Sequence, residues 1–534
     1  MPTDCIPFRD THYFSSLICD YLDEKQQLKP FYNRYPNLDN FKIQIDEKQL
    51  SFNSEFRETL VSSLRSQYKN LTVSKSTSTN IEALKDTNTF TVTTGHQLNL
   101  FTGPLYFFYK IVSTINLCKQ LKETYPQYSF VPVYWMASED HDFDEINYFN
   151  FDGKKIQWNR ESTGAVGELD LQGLDEVYEV FSGQLNSTTN AKVLKELFKT
   201  AYLKHQNLTD AMRFLVNEFF KDHGLVILDG NDKNLKRLFI PIMEDELVNQ
   251  TSFKLVSETN AQINNLTDQN YKIQVNPREI NLFYLHKNLR ERIVEVDGKY
   301  SVYGTDISWS KDEILNELYS NPERFSPNVI LRPLYEEVIL PNLCYIGGGG
   351  ELAYWLQLKS NFEAQKVTFP LLLLRNSALM ISEKQLDKLQ KLQLSVKDLF
   401  LSQDQLLNKV TQIHSKIDID FSAQKTHLEQ QFEALYQLAK QTDNSFIGAV
   451  AAQERKQIKG LEHLERRLLK AQKRKLHEVL DRAVDLQNEL FPNQSLQERY
   501  TNFSEFYLEN GEEFLAKLIN YLEPLKAEFL VLKM

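Results

Sequence analysis

The sequence predicts an α/β chain: a doubly wound parallel core carrying two inserted segments, followed by a C-terminal antiparallel α-helical coiled coil. Three observations carry that prediction. Two apolar, breaker-free runs, Phe90–Thr94 and Phe130–Met136, flank a helical stretch and give a strand–helix–strand unit. Further short apolar runs recur downstream, each ending in glycine, arginine or aspartate. From about Ser382 glycine becomes rare, and apolar residues settle into a 3–4 spacing.

Taken in order, residues 1–85 are polar with scattered aromatics; Ser54–Tyr68 reads as an amphipathic helix and Ser74–Asn80 as a Ser/Thr-rich loop. The strand Phe90–Thr94 runs into Gly95-His96-Gln97, and Gly103-Pro104 opens a helix to about Lys122, because proline is tolerated in a first helical turn. The strand Phe130–Met136 runs into Glu139–Glu145. Gly224–Leu228, Asn328–Leu331, Asn342–Ile346 and Phe369–Leu374 read as further strands of the same sheet, with a helix starting at Glu351. Between them lie two insertions. Residues 146–222 begin β-like and end helical; residues 253–322 hold the alternating runs Tyr271–Val275, Asn281–Leu285 and Arg292–Val296, a pattern for a small antiparallel sheet. The core therefore spans 1–382 and the helical arm 383–496. The arm is two antiparallel helices turning at Thr442–Ser445, the second about 60 Å long at 1.5 Å per residue. Residues 497–534 read as helices returning to the core.

Composition narrows the function. The 61 basic and 72 acidic side chains leave a net charge of −11, which argues against nucleic acid or an anionic membrane surface as partner. Cys5, Cys19, Cys118 and Cys344 form no CxxC pair and no zinc or redox motif; Cys118 and Cys344 read as core. The start of the chain has no basic segment followed by an apolar run, and Phe369–Leu374 is far too short to span a bilayer, so a cytoplasmic enzyme is expected.

In doubly wound folds ligands sit outside the carboxyl ends of the strands, where both the Thr94–Gln97 and the Glu139–Glu145 loops emerge. A glycine and a histidine at a strand end suit an anion, and the imidazole can exchange a proton near neutrality; the plainer reading is a tight turn. Six of the seven residues Glu139–Glu145 are ionisable. Such carboxylates can hold a substrate ammonium or Mg²⁺, or act as a base with His141, against the plainer reading of a solvated loop. His96, Asp140, His141 and Asp142 are the catalytic candidates. Gly95, His96 and Gly347–Gly350 (that is, Gly347, Gly348, Gly349 and Gly350) are the nucleotide-binding candidates, although no GK[ST] follows as in a P-loop. Gln97, Asn99, Glu139, Asp144, Arg332, Tyr335, Trp355 and Arg375 are the substrate-binding candidates, with Arg332 suited to bidentate carboxylate or phosphate binding or to an ion pair with Glu336 or Glu337. No metal-ligand set and no GxSxG elbow appears.

Three blocks then stand together: Thr94-Gly95-His96-Gln97 through Tyr106, Val131-Pro132-Val133-Tyr134-Trp135 through Ile146, and Ser326-Pro327-Asn328 through Tyr335 followed by Tyr345-Ile346-Gly347-Gly348 and Glu351–Trp355. Together they resemble the BshC family, the cysteine ligases of bacillithiol biosynthesis, over nearly the whole chain. Asn99 and Gly349-Gly350 depart from the family pattern, where many members carry another residue and Pro-Ala respectively. The resemblance implies a Rossmann-like core, a homodimer formed through the coiled coil, and addition of cysteine to the amine of glucosaminyl-malate. Activation of the carboxylate makes ATP the expected energy donor; Mg²⁺ can accompany it, and no tightly bound organic cofactor is expected. The alternatives are a nucleotidylyltransferase that makes only an activated intermediate and a non-catalytic scaffold acting through the coiled coil.

Overall fold

Five strands build the parallel sheet: β1 (Thr89–His96), β2 (Ser129–Met136), β3 (Val226–Asp229), β4 (Asn342–Gly347) and β5 (Leu371–Leu374). The computed structural model describes residues 2–266 and 271–534, so residues 267–270 of the second predicted insertion, and Met1, lie outside the described residues. The lateral order is β5-β4-β1-β2-β3, with every pairing parallel. The chain winds from β1 outward through β2 and β3, then returns to lay β4 and β5 on the other side. The winding reverses between β1 and β4; a doubly wound sheet forms its binding crevice at such a point. β1 and β2 are in register from Thr89 opposite Ser129 to His96 opposite Met136, so the two predicted loops leave side by side.

The strands are buried along their length because both sheet faces are covered. Phe90, Val92, Phe130, Leu343, Ile346 and Leu371 pack with Leu117 and Leu121 of the crossover helix Tyr106–Thr124 and with Phe41 and Ile45 of the helix Leu38–Ser51. Cys118 and Cys344 lie in the same core, as expected.

The insertions carry the expected patterns with local differences. The first holds the hairpin Tyr148–Phe151/Lys154–Gln157 and three helices, Leu174–Gln184, Thr189–Leu203 and Leu208–Phe220. The second opens on the helix Thr251–Asn264 and builds an antiparallel sheet from Leu282–His286, Leu289–Val296, Lys299–Val302 and Ser308–Trp309, with Phe325–Pro327 added at its other edge. Tyr271–Val275 forms no strand: the amides of Gln274 and Val275 donate to the Gln357 side chain rather than to a neighbouring strand. Asn328–Leu331 is likewise not a core strand. It is a turn in which the Asn328 side chain accepts from the Ile330 amide at 2.8 Å, so Arg332 opens the helix Arg332–Ile339 instead of following a parallel strand. Ser74–Asn80 is helical within Lys75–Ala83: Ser74 caps the Thr77 amide, and Asn80 is tied to the Gly224 carbonyl at 2.6 Å, so capping and tertiary contacts outweigh weak local propensity.

By contact density the chain divides into Met1–Leu379 with Leu496–Val531, and Met380–Ser495 with Leu532–Met534. In the second unit the helices Ser422–Ala439 and Asn444–Lys475 run antiparallel around Phe432, Ala439 and Val450, clamped by Lys425–Glu465 (2.7 Å) and Tyr436–Glu454 (2.7 Å). Asp443 caps the second helix through the Ser445 amide. The predicted 60 Å helix is interrupted at Leu476, leaving 32 residues, about 48 Å, before the chain resumes as His477–Leu490. The helix Gln403–His414 packs on that last segment. The predicted helical tail ends instead in the strand Glu528–Lys533, whose Phe-Leu-Val-Leu run is buried.

Candidate active site

The ends of β1, β2 and β4 border a cavity of about 640 Å³. Gly95 permits the close approach that forms its floor: a Cβ there would stand 3.2 Å from the Tyr345 hydroxyl and 3.7 Å from a guanidinium nitrogen of Arg332. Beneath it Lys110, from the crossover helix, donates to the Gly95 carbonyl at 2.7 Å and pairs with Glu351 at 2.6 Å. Glu351 also accepts from the Gly348 amide (2.8 Å) and the Tyr345 hydroxyl (2.7 Å). Burial pushes that carboxyl up, but Lys110 and these donors hold it below its ordinary range, while burial pulls the Lys110 ammonium below its own.

His96 is the buried neutral member of the site. Burial, with Lys110 and Arg375 adding, holds its imidazole well below the ordinary value. Its ring lies against Tyr106 and Phe107, and its Nε2 is buried without a hydrogen-bond partner among the described residues. A buried unpartnered nitrogen at a cavity wall is an unmet hydrogen-bonding demand that a ligand can meet.

Across the cavity runs the acidic loop. The Gln97 amide nitrogen donates to Asp140 and to Glu145, each at 2.9 Å, and so ties the β1 loop to the β2 loop. Glu139 is held by the fully buried Lys236, which also donates to the Glu323 carbonyl at 2.9 Å. Arg290, from the inserted antiparallel sheet, reaches in to donate to His141 Nδ1 at 2.6 Å, with its guanidinium 4.1 Å from the centre of the Phe283 ring. Because a guanidinium only donates, Nδ1 is the acceptor in this contact, and Nε2 is the nitrogen 4.0 Å from Asp142. Arg332 is anchored to the buried Glu336 at 2.5 Å and lies over the Tyr345 ring. Burial raises the Glu336 carboxyl to about 7 against the opposing pull of Arg332. Arg278, exposed on the rim, pairs with no carboxylate among the described residues. A neutral histidine and a set of arginines thus face a carboxylate loop, an arrangement that takes an anionic group at one end and an amine at the other.

Residues 1–376 match the family model of the N-terminal Rossmann-like domain of BshC from bacillithiol biosynthesis, and residues 378–534 match its C-terminal coiled-coil domain. The chain belongs to the BshC family. It is 59% identical to a Christiangramia forsetii protein over 100% of this chain and 99% of that one, and 59% identical to a Flavobacterium johnsoniae protein over 99% of each. A Bacillus cereus relative is 29% identical over 94% of this chain and 95% of its own. All three bear the name "Putative cysteine ligase BshC".

In this BshC-family chain the cavity brings together Gly95, His96, Gln97, Glu139, Asp140, His141, Asp142 and Arg332 of the sequence-derived candidates. Others lie elsewhere. Tyr335 is core: its hydroxyl donates to the Gly230 carbonyl and its ring meets Trp135 and Phe239. Trp355 is core too, stacked on Tyr345 and packed against Phe362 and Phe369. Arg375 is buried behind Tyr106 and spent on Glu498 at 2.7 Å. Asp144 is exposed on the short helix Phe143–Ile146, away from the cavity wall. Gly347–Gly350 do not line the cavity: the Gly348 amide is already taken by Glu351, a Cβ on Gly347 would collide with Leu352, and Gly350 is exposed with open space around it. Asn99 borders a smaller neighbouring cavity.

Sequence reasoning missed Lys110, Arg278 and Arg290. Lys110 carried a signal, as a lone cation inside the apolar run Phe107-Phe108-Tyr109-Lys110-Ile111-Val112. Arg290 carried none, because only the fold of the inserted sheet delivers it to His141.

Proposed function

We propose that this chain adds cysteine to the amine of glucosaminyl-malate, the last step of bacillithiol biosynthesis, in the cytoplasm, using ATP to activate the cysteine carboxylate. The observation that supports this reading best is the pairing, in one cavity, of the neutral unpartnered His96 and the cationic Arg332 with the carboxylate loop Glu139–Asp142. Forming an amide from a free carboxylate is uphill in water. A carboxylate oxygen of cysteine attacks the α-phosphorus of ATP and pyrophosphate leaves; the sugar amine then attacks the acyl carbon, AMP leaves, and the amine proton passes to a base. Asp140 is suited to receive that proton, with His141 beside it. Arg332 and Arg278 suit the malyl carboxylates, and His96 suits an oxygen of the reacting group.

The phosphate charge would be met by side chains rather than by a helix terminus. In the first turn of the helix Tyr106–Thr124 the amides of Phe107 and Phe108 donate within the turn, and the Leu105 amide donates to the Thr501 carbonyl. Mg²⁺ enters as the companion of ATP. The test is the nucleotide product: purified protein with cysteine, glucosaminyl-malate and Mg-ATP yields AMP and pyrophosphate in step with amide. ADP and phosphate would replace the adenylate by an acyl phosphate; amide formed without nucleotide consumption would end the ATP reading.

We further propose a homodimer through the helical pair. Leu435, Leu438, Phe446 and Leu464 remain 44–57% exposed on the two helices, apolar side chains that a second copy would cover.

A further inference from the structure

A second cavity, about 320 Å³, adjoins the first: Gln97 and Tyr106 line both, and the Gln97 amide nitrogen bridges Asp140 on one side to Glu145 on the other. Its walls are the loop after β1, the hairpin strand Tyr148–Phe151 and the returning segment at Arg499–Tyr500. These walls are fixed. Asn150 donates to the Tyr500 carbonyl at 3.1 Å, and Asn502 holds the Phe101 and Gly103 carbonyls at 2.9 and 2.6 Å.

Its polar groups are arranged by sign. Asn99 is 6% exposed; its amide nitrogen donates to the Glu145 carbonyl at 3.2 Å, while its Oδ1 is buried with no donor among the described residues. A buried acceptor left unmet is costly, so this position asks for a donor. The Glu145 carboxylate, beside it, adds negative charge and has one oxygen outside its bond to Gln97. Arg499 supplies the opposite charge and pairs with no carboxylate among the described residues. Phe149 and Pro104 add apolar surface between.

Resting on the ligase reading above, we propose that this second cavity is the subsite for the free α-amino acid. The α-ammonium donates to Asn99 Oδ1 and Glu145, the α-carboxylate lies on Arg499, and the short side chain rests on Phe149. The amine acceptor then occupies the larger cavity, and the two substrates meet across Gln97.

The experiment is steady-state kinetics and calorimetric titration with L-cysteine on the full chain, on Arg499→Gln and on Glu145→Gln, with thermal melting to confirm folding. Each variant is expected to raise KM for cysteine roughly tenfold or more, the scale of one charge-assisted hydrogen bond, with KM for glucosaminyl-malate unchanged. Cysteamine and N-acetylcysteine, each lacking one charge, are expected to bind wild-type protein at least about tenfold more weakly than cysteine. Unchanged KM for cysteine in both variants overturns the subsite, as does a parallel rise in both KM values. If the wild-type protein forms no amide, the ligase reading fails on its own. Titration then decides the subsite: cysteine binding weakened by Arg499→Gln keeps it, and no cysteine binding to the wild-type chain removes it.

Discussion

At the scale of single residues, the site depends on groups oriented by what touches them. Arg290 is the clearest case, since at 2.6 Å its guanidinium makes His141 Nδ1 an acceptor. Replacing Arg290 with Gln is expected to lower kcat/KM by about tenfold or more while the protein stays folded, the scale of one charge-assisted hydrogen bond. The ¹⁵N shifts of His141 report the cause: a single Nε2–H tautomer in the wild type and a mixture in the variant. An unchanged tautomer with lost activity would mean that Arg290 acts on substrate instead. A second case bears on stability. Burial, with the Asp152 charge adding, raises the Glu505 carboxyl from 4.5 to about 7, although it accepts from the Asp152 amide. The folded state therefore binds this proton more tightly than the unfolded chain, and stability falls as pH rises from about 4.5 through about 7. Glu505→Gln keeps an acceptor for Asp152 and removes the titration. Its melting temperature is expected to exceed the wild type's at pH 8 and to converge with it near pH 4.5; equal melting temperatures throughout would contradict that burial cost.

At the scale of elements, the loop after β1 shows how the fold holds a difficult conformation. Phe101 and Thr102 have φ of 48° and 67°, the left-handed region that bulky residues avoid. Phe101 stays there because Phe149, Phe181, Phe198 and Phe503 surround its ring and its amide donates to Tyr202. Phe101→Ala is expected to destabilise by about 3–5 kcal/mol in denaturant unfolding, somewhat reduced by relief of strain; a loss below about 1 kcal/mol would mean the loop is held otherwise. The helical pair gives a second test. Light scattering is expected to give twice the 62.5 kDa chain mass for the wild type, and a monomer when Leu438 and Leu464 are both changed to Glu. A double variant that remains dimeric would move the interface elsewhere.

The elements also show what was legible in the sequence and why. Phe90–Thr94 and Phe130–Met136 were readable because strands buried on both faces are continuous apolar runs, and the glycine and acidic residues at their ends marked the two loops. Arg332 was found as a residue but misplaced in the fold, since Phe325-Ser326-Pro327 pairs with Leu282–Tyr284 of the inserted sheet, a contact no local pattern announces. Tyr335 and Trp355 stood in conspicuous motifs yet serve the core, because a motif marks positions without saying which way a side chain turns. The break at Leu476 was invisible because the 3–4 spacing runs straight through it.

At the scale of the whole molecule, the order β5-β4-β1-β2-β3 sets the crevice between β1 and β4; the inserted sheet adds Arg290 to it, and the segment leading into that sheet adds Arg278. This crevice is proposed to join cysteine to glucosaminyl-malate. Mass spectrometry of the wild-type chain with both substrates and Mg-ATP, beside His96→Ala of matched circular dichroism, tests it most directly. A product heavier by one cysteine residue is expected, reduced at least about a hundredfold in the variant, the scale of a lost preorganised hydrogen-bond donor. Product formed equally fast by the His96 variant would contradict the placement of the site, and no product from the wild type with both substrates bound would contradict the ligation itself.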